Sequence, residues 1–191
     1  RHEDARDQTI RQFCSRYHVD MGQAARVERL ALHCLGQVAS AWGLDPVVGR
    51  QLLSWAARLH EIGLSVAYSG YHRHGAYILD NVDAPGFAQH ELHRLSLLVL
   101  GHRGKLRKLD ADFDDSLFVH QLLALRLAVI LCHARRDPDL KGMQLRSDDA
   151  EHRFSLALRE DWAAAYPQSA HLLREEMLAW QKTPWQFIVA A

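Results

Sequence analysis

Cysteine is scarce in this chain, and its three copies, Cys14, Cys34 and Cys132, stand far apart with no C-x-x-C spacing. That pattern argues against a disulfide framework and for small reduced core residues in a cytoplasmic protein. Net charge is missing too. The 23 Lys and Arg offset 23 Asp and Glu, so no global field draws the chain to nucleic acid or an anionic membrane, and any anion site has to be local. No apolar run approaches the roughly 18 residues of a membrane span. Internal repeats and low-complexity segments are also absent. The opening Arg1-His2-Glu3-Asp4 is charged, and a chain that begins on Arg rather than Met is expected to be part of a longer one.

What is present is mostly helical periodicity over 191 residues, a length that suits one main domain with an appendage. Ile10, Phe13, Cys14 and Tyr17 share one face of a first helix that ends near His18. Asp20 reads as the N-cap of a second, with Gln23 three residues on as in a capping box. That helix presents Val27, Leu30, Ala31, Cys34, Leu35, Val38 and Trp42 on one side, and Gly43 is placed to end it. Asp45-Pro46 opens a third by the N-cap and N1 rule; it carries Leu52, Trp55, Ala56 and Leu59 to a His60-Glu61 pair and stops by Gly63. Shorter helices are expected at 71–81 and 88–102, separated by an Asp83-Ala84-Pro85-Gly86 turn. Asp114 or Asp115 can then cap a helix that is apolar nearly all round, from Leu117 to Leu131, and so central to the core.

After Asp137-Pro138 the pattern changes. Residues 142–146 and 153–158 alternate apolar and polar side chains, as half-buried strands do. A helix at 161–182 and a strand at 185–189 complete the reading. The expected architecture is a mainly α helical bundle at 1–141, followed by a small α+β unit at 142–191 with a short antiparallel sheet and one helix.

The stretch Arg58-Leu59-His60-Glu61-Ile62-Gly63 resembles the metal motif of HD-domain phosphohydrolases, with Glu in place of Asp. There, neutral imidazoles and carboxylates converge on one ion that activates water. His33, His60 and Glu61 are the residues that would serve here. The later Asp of that pattern is missing, because Leu125-Arg126-Leu127-Ala128 is followed by Val129, which cannot hold a metal. The alternative reading makes His60 a core histidine bonded to backbone, Glu61 a salt-bridging or capping residue and His33 a structural residue of its helix.

Longer motifs extend the likeness. Residues 1–9, Tyr17-His18-Val19-Asp20 with Gln23-Ala24-Ala25-Arg26-Val27, Trp55-Ala56-Ala57-Arg58-Leu59-His60-Glu61-Ile62-Gly63 and Ser69-Gly70-Tyr71-His72-Arg73-His74-Gly75-Ala76-Tyr77-Ile78-Leu79 follow in order, continued by Pro85-Gly86-Phe87 and His102-Arg103-Gly104-Lys105. Together they resemble the C-terminal region of the exopolyphosphatase / guanosine pentaphosphate phosphatase (Ppx/GppA) family, most of all an exopolyphosphatase. The resemblance implies an HD-like accessory unit with no catalytic residue and no cofactor of its own. Catalysis and Mg²⁺ binding would lie in actin-like domains of the same polypeptide. It further implies a role in holding long inorganic polyphosphate and in homodimerisation.

Two segments suit a polyanion. Between Leu95 and Leu109 there is no acidic residue, while Arg103, Lys105, Arg107 and Lys108 crowd into six positions beside His102. Such a run can neutralise about one charge per phosphate, and Gly101 and Gly104 let backbone amides approach an oxyanion. The competing reading is a solvated loop balanced by Asp110, Asp112, Asp114 and Asp115. His72-Arg73-His74 is the second segment, with a guanidinium fork between two imidazoles that are cationic near an unperturbed pKa of roughly 6.5. Its competing reading is a helix start whose His side chains cap local backbone. Aromatic residues do not interleave with these cations, which argues against a nucleic-acid platform. Arg26, Arg29, Arg135 and Arg136 read as solvated helix faces.

The reading is therefore a polyphosphate-holding accessory domain. Its rivals are an autonomous metal-dependent HD phosphohydrolase and the same module from a guanosine pentaphosphate phosphatase.

Overall fold

The computed structural model describes residues 4–39 and 46–190. Six longer helices come first: α1 (Ala5–Arg16), α2 (Met21–Ala39), α3 (Pro46–Leu59), α4 (Tyr71–Asn81), α5 (Gln89–Gly101) and α6 (Ser116–Leu131). Short 3₁₀ turns at Ile62–Ser65 and Leu106–Lys108 follow α3 and α5. Caps begin several of these helices. The Asp4 side chain accepts from Arg6 N, Asp20 from Gln23 N and Asp115 from Phe118 N, each satisfying an amide that has no partner inside its helix. Trp42, Gly43 and Asp45, expected to end α2 and cap α3, lie outside the described residues.

Helix α6 is the axis of the bundle. Its residues from Phe118 to Ala128 are all buried, as an all-round apolar sequence requires. Helix α2 packs against α3 and α6, while α4 and α5 pack against each other, α5 also touching α3 and α6. No helix among the described residues is long and apolar enough to cross a membrane.

The remainder holds β1 (Gln144–Asp148), β2 (Arg153–Ala157), α7 (Trp162–Ala165), α8 (Pro167–Trp180) and β3 (Gln186–Ala190). The mainly α bundle with a small α+β unit is thus as expected, but two details of that unit differ. Strands β1 and β2 pair antiparallel, placing Leu145 opposite Leu156, whereas β3 pairs parallel to β2, with Phe154 opposite Phe187. The sheet is mixed because α8 lies between β2 and β3 in the chain and carries it back to start the last strand from the same end. The helix expected at 161–182 is two helices, broken at Tyr166. A residue before proline is pushed out of helical geometry, and Tyr166 sits at φ −130°, ψ 65° ahead of Pro167.

Leu145, Phe154, Leu156, Trp180, Trp185 and Phe187 of this unit belong to the same hydrophobic core as the bundle. Polar ties cross the same boundary: Leu145 N donates to Gln37 Oε1 at 2.8 Å, and Trp185 Nε1 donates to the Phe113 carbonyl at 2.7 Å.

Candidate functional site

Gly63 sets the geometry around the His60-Glu61 pair. A Cβ there would lie 1.9 Å from the Tyr71 carbonyl oxygen and 2.6 Å from Gly75 N, so the turn after α3 can lie flush against the first turn of α4 only with glycine. Closing that gap gathers four rings. His60 and His102 are both 2% exposed, their ring centroids 5.1 Å apart at 80°. Tyr71 and His72 stand 5.4 Å and 6.4 Å from His102. Each buried imidazole donates from Nδ1 to the carbonyl three residues earlier, Ala57 for His60 and Val99 for His102. His102 Nε2 is thereby left to accept from the Tyr71 hydroxyl at 3.3 Å. Burial pushes both pKa values below the ordinary histidine range.

Glu61 is 8% exposed and meets a guanidinium fork. Arg135, in left-handed backbone conformation just past α6, donates from Nη1 to Oε2 at 3.1 Å and from Nη2 to Oε1 at 3.2 Å, and its Nη2 also reaches Asp20 at 2.9 Å. Arg135 is thus a clamp on α2 and the α3 turn, where the sequence suggested a solvated helix face.

His33 is exposed on α2 beside Gln37 and is not brought to His60 and Glu61. Among the described residues no three His, Cys, Asp or Glu side chains converge as a metal site would need. The HD metal does not fit these residues: one candidate ligand points elsewhere, Glu61 is neutralised by Arg135, and Val129 replaces the late carboxylate.

The cations converge one layer out. A cleft of about 390 Å³ is lined by His72, Arg73, Arg103, Gly104, Lys105 and Lys108, together with Leu100, Gly101 and Leu109. The Arg103 guanidinium lies 4.7 Å over the Tyr71 ring. Gly104 turns at φ +84°, so close to His72 that a Cβ would come 3.3 Å from the ring Nε2. Among the described residues no carboxylate forms an ion pair with Arg73, Arg103, Lys105 or Lys108. Of the acids expected to balance this loop, Asp115 binds Arg94 at 2.7 Å and Asp112 accepts from Asp114 N.

The remaining candidates divide. Desolvation, helped by Arg103 and Arg73, lowers the His72 pKa to about 4, so the ring is neutral at physiological pH and not the cation the sequence suggested. Its Nδ1 is buried without a hydrogen-bond partner among the described residues. His74 donates from Nε2 to the Ser69 carbonyl at 3.0 Å, the local backbone contact that the competing reading foresaw. His102, expected beside the basic run as a polyphosphate contact, is buried with both ring nitrogens hydrogen-bonded, and desolvation holds its pKa well below the ordinary range. Arg107 faces a neighbouring groove instead.

A buried arginine anchors the cleft. Arg126 of α6 donates to the carbonyls of Gly101 at 2.7 Å and Gly104 at 3.1 Å, and forms a two-pronged pair with Glu176 of α8. Trp180 Nε1 binds the same carboxylate at 2.8 Å. Sequence reasoning passed over both residues, although an arginine inside an otherwise apolar helix needs a buried acidic partner.

Residues 5–178 match the family model described as Ppx/GppA phosphatase, domain III. The chain belongs to that family. Among curated relatives, it is 38% identical over 192 residues to a guanosine-5'-triphosphate,3'-diphosphate pyrophosphatase of Pseudoalteromonas translucida, an alignment covering 97% of this chain and 38% of that protein. A protein of the same name from Aeromonas hydrophila is 34% identical over 186 residues, covering 95% of this chain and 37% of the relative. The chain therefore spans well under half the length of the curated Ppx/GppA relatives it matches. Both relatives are named for the guanosine enzyme, which does not favour the exopolyphosphatase branch over it.

Proposed function

We propose that this Ppx/GppA domain III is an accessory module that holds phosphate polyanions, long inorganic polyphosphate foremost. It would serve a phosphohydrolase whose catalytic residues and Mg²⁺ site lie elsewhere in a longer, cytoplasmic and homodimeric polypeptide. One observation supports the reading above others: Arg73, Arg103, Lys105 and Lys108 line one cleft with no carboxylate paired to them among the described residues. Cations without internal partners lose little on binding an anion, and each phosphate they neutralise releases counterions. Gly104 adds backbone that a phosphate oxygen can approach closely. The neutral His72 suits a hydrogen-bonding role at the cleft wall, where its buried Nδ1 has no partner among the described residues.

The names of the relatives favour a second substrate, guanosine 5'-triphosphate 3'-diphosphate, whose phosphates could use the same cations. Calorimetric titration of the chain with short polyphosphate, long polyphosphate and guanosine 5'-triphosphate 3'-diphosphate separates the two. Affinity that climbs with chain length and collapses in Arg73→Ala/Lys108→Ala supports the polyphosphate reading. Tight binding of the guanosine compound alone supports the second, and no binding of either at low salt refutes the module's proposed role.

A further inference from the structure

The three-stranded sheet has two unlike edges. At β1 the edge lies against α2, where Leu145 N donates to Gln37 Oε1 at 2.8 Å, and the strand carries Arg146 and Asp148. Cover and charge of this kind keep an edge strand from pairing with another chain. At β3, which packs on β2 and α8, the run Gln186-Phe187-Ile188-Val189-Ala190 has no charge and no proline. The ladder to β2 fixes which of its backbone groups point outward. Gln186 N donates to the His152 carbonyl at 2.8 Å, and Leu158 N donates to the Ala190 carbonyl at 3.2 Å. Residues 186, 188 and 190 therefore face β2, while the N–H and C=O of Phe187 and Val189 point the other way. Of these four groups only Val189 N–H has a partner among the described residues, the thioether sulfur of Met177 at 3.3 Å, a weak acceptor.

Two outward residues separated by one suit a particular partner. If a copy of β3 runs antiparallel about a two-fold axis at Ile188, Phe187 of each copy stands opposite Val189 of the other, and all four outward groups pair. Moving the axis to Phe187 would set Val189 against Trp185, whose N–H and C=O are both taken by the Thr183 hydroxyl. With the axis at Ile188, that side chain meets its own copy as a non-hydrogen-bonded pair, the Cα atoms about 4.5 Å apart. Half-buried Ile188 lies on the sheet face away from the core, between exposed Gln186 and Ala190, so no like charges oppose each other across the axis. We infer that the β3 edge is a homodimer surface, on which two copies of this chain join their sheets into one. The inference rests on the homodimeric reading of the parent polypeptide and gives it a surface, independently of what the cleft binds.

The test introduces Ile188→Cys into the 191-residue chain, whose Cys14, Cys34 and Cys132 are all buried. Mild oxidation should link two copies through position 188, whereas Tyr77→Cys, at a 70% exposed position on α4, should not. Val189→Pro removes an outward N–H without touching the ladder to β2, and Ile188→Lys sets like charges face to face. Each should weaken self-association in sedimentation equilibrium about tenfold or more, with circular dichroism showing the fold retained. Mixing Ile188→Lys with Ile188→Glu chains should restore association, because residue 188 meets itself across the axis. Ile188→Cys chains that cross-link no better than Tyr77→Cys chains, or charged variants that do not recover in mixture, would overturn the inference. Association that persists in Val189→Pro and Ile188→Lys would overturn it too, leaving the homodimeric reading to another surface. Monomers at every concentration, with no cross-link, would sink both.

Discussion

Arg126 and Glu176 meet in the interior as a forked pair, Nε to Oε2 at 2.7 Å and Nη2 to Oε1 at 2.8 Å, their side chains only 6% and 3% exposed. The pair joins α6 to α8, and the guanidinium uses its other donors to hold two carbonyls of the basic loop. Both the shape of the cleft and the docking of the α+β unit rest on it.

Removing one partner strands the other charge in a dry site. Arg126→Met should destabilise the chain by about 3–5 kcal/mol in urea unfolding, and Arg126→Met/Glu176→Leu should cost clearly less than Arg126→Met alone. A double variant as unstable as the single one would show that loop anchoring, not the stranded charge, sets the cost.

Gly63 leads to a second expectation. A methyl group at this position meets backbone atoms of Tyr71 and Gly75, which cannot rotate away as a flexible side chain could. Gly63→Ala should therefore cost at least about 1–3 kcal/mol and displace the start of α4, where His72 and Arg73 reside. Thermal unfolding and polyphosphate affinity should both suffer; an unchanged melting temperature would mean that the α3 turn and α4 do not touch as described.

Much of this arrangement was legible in the chain, and the parts that were not share a cause. Asp20 and Asp115 could be read as caps because a cap bonds residues two or three positions away. Helix α6 declared itself central because its few polar residues past the first turn, His120, Gln121 and Arg126, form no continuous stripe. By contrast, Arg126 finds Glu176 fifty positions later, and Arg135 reaches back to Glu61 and Asp20; neither partner can be assigned from local spacing. The charge of His72 depends on desolvation by packed neighbours, so a His-Arg-His string read as three cations when the first ring is neutral. The direction of β3 depends on how α8 crosses back, whereas alternation reveals only which face is buried. Pro167 was a local signal that could have been used to split the last helix.

Acid should loosen the fold well before the carboxylates titrate. Burial holds His60, His72, His102 and His120 below their ordinary value, His72 at about 4. The unfolded chain takes up protons on these rings near pH 6.5 while the folded chain does not. Stability is thus full above roughly pH 6.5 and falls as the pH drops from there towards 4, further still for the deeply buried His102. A capped carboxylate such as Asp4, at about 2, adds its loss only below that window. Urea unfolding between pH 7.5 and 4.5 should show the decline, and His72→Gln should flatten part of it; stability that rises on acidification through this range would contradict the assignment.

The salt dependence of polyphosphate binding tests the central claim most directly. Four cations lining one cleft, each neutralising a phosphate, predict that log K falls against log salt with a slope of about −3, since each contact contributes about 0.7–0.9. Arg73→Ala/Lys105→Ala/Lys108→Ala should reduce the slope to about −1 or less at the same chain length. Affinity independent of salt, or the same slope with these three cations removed, would contradict the account.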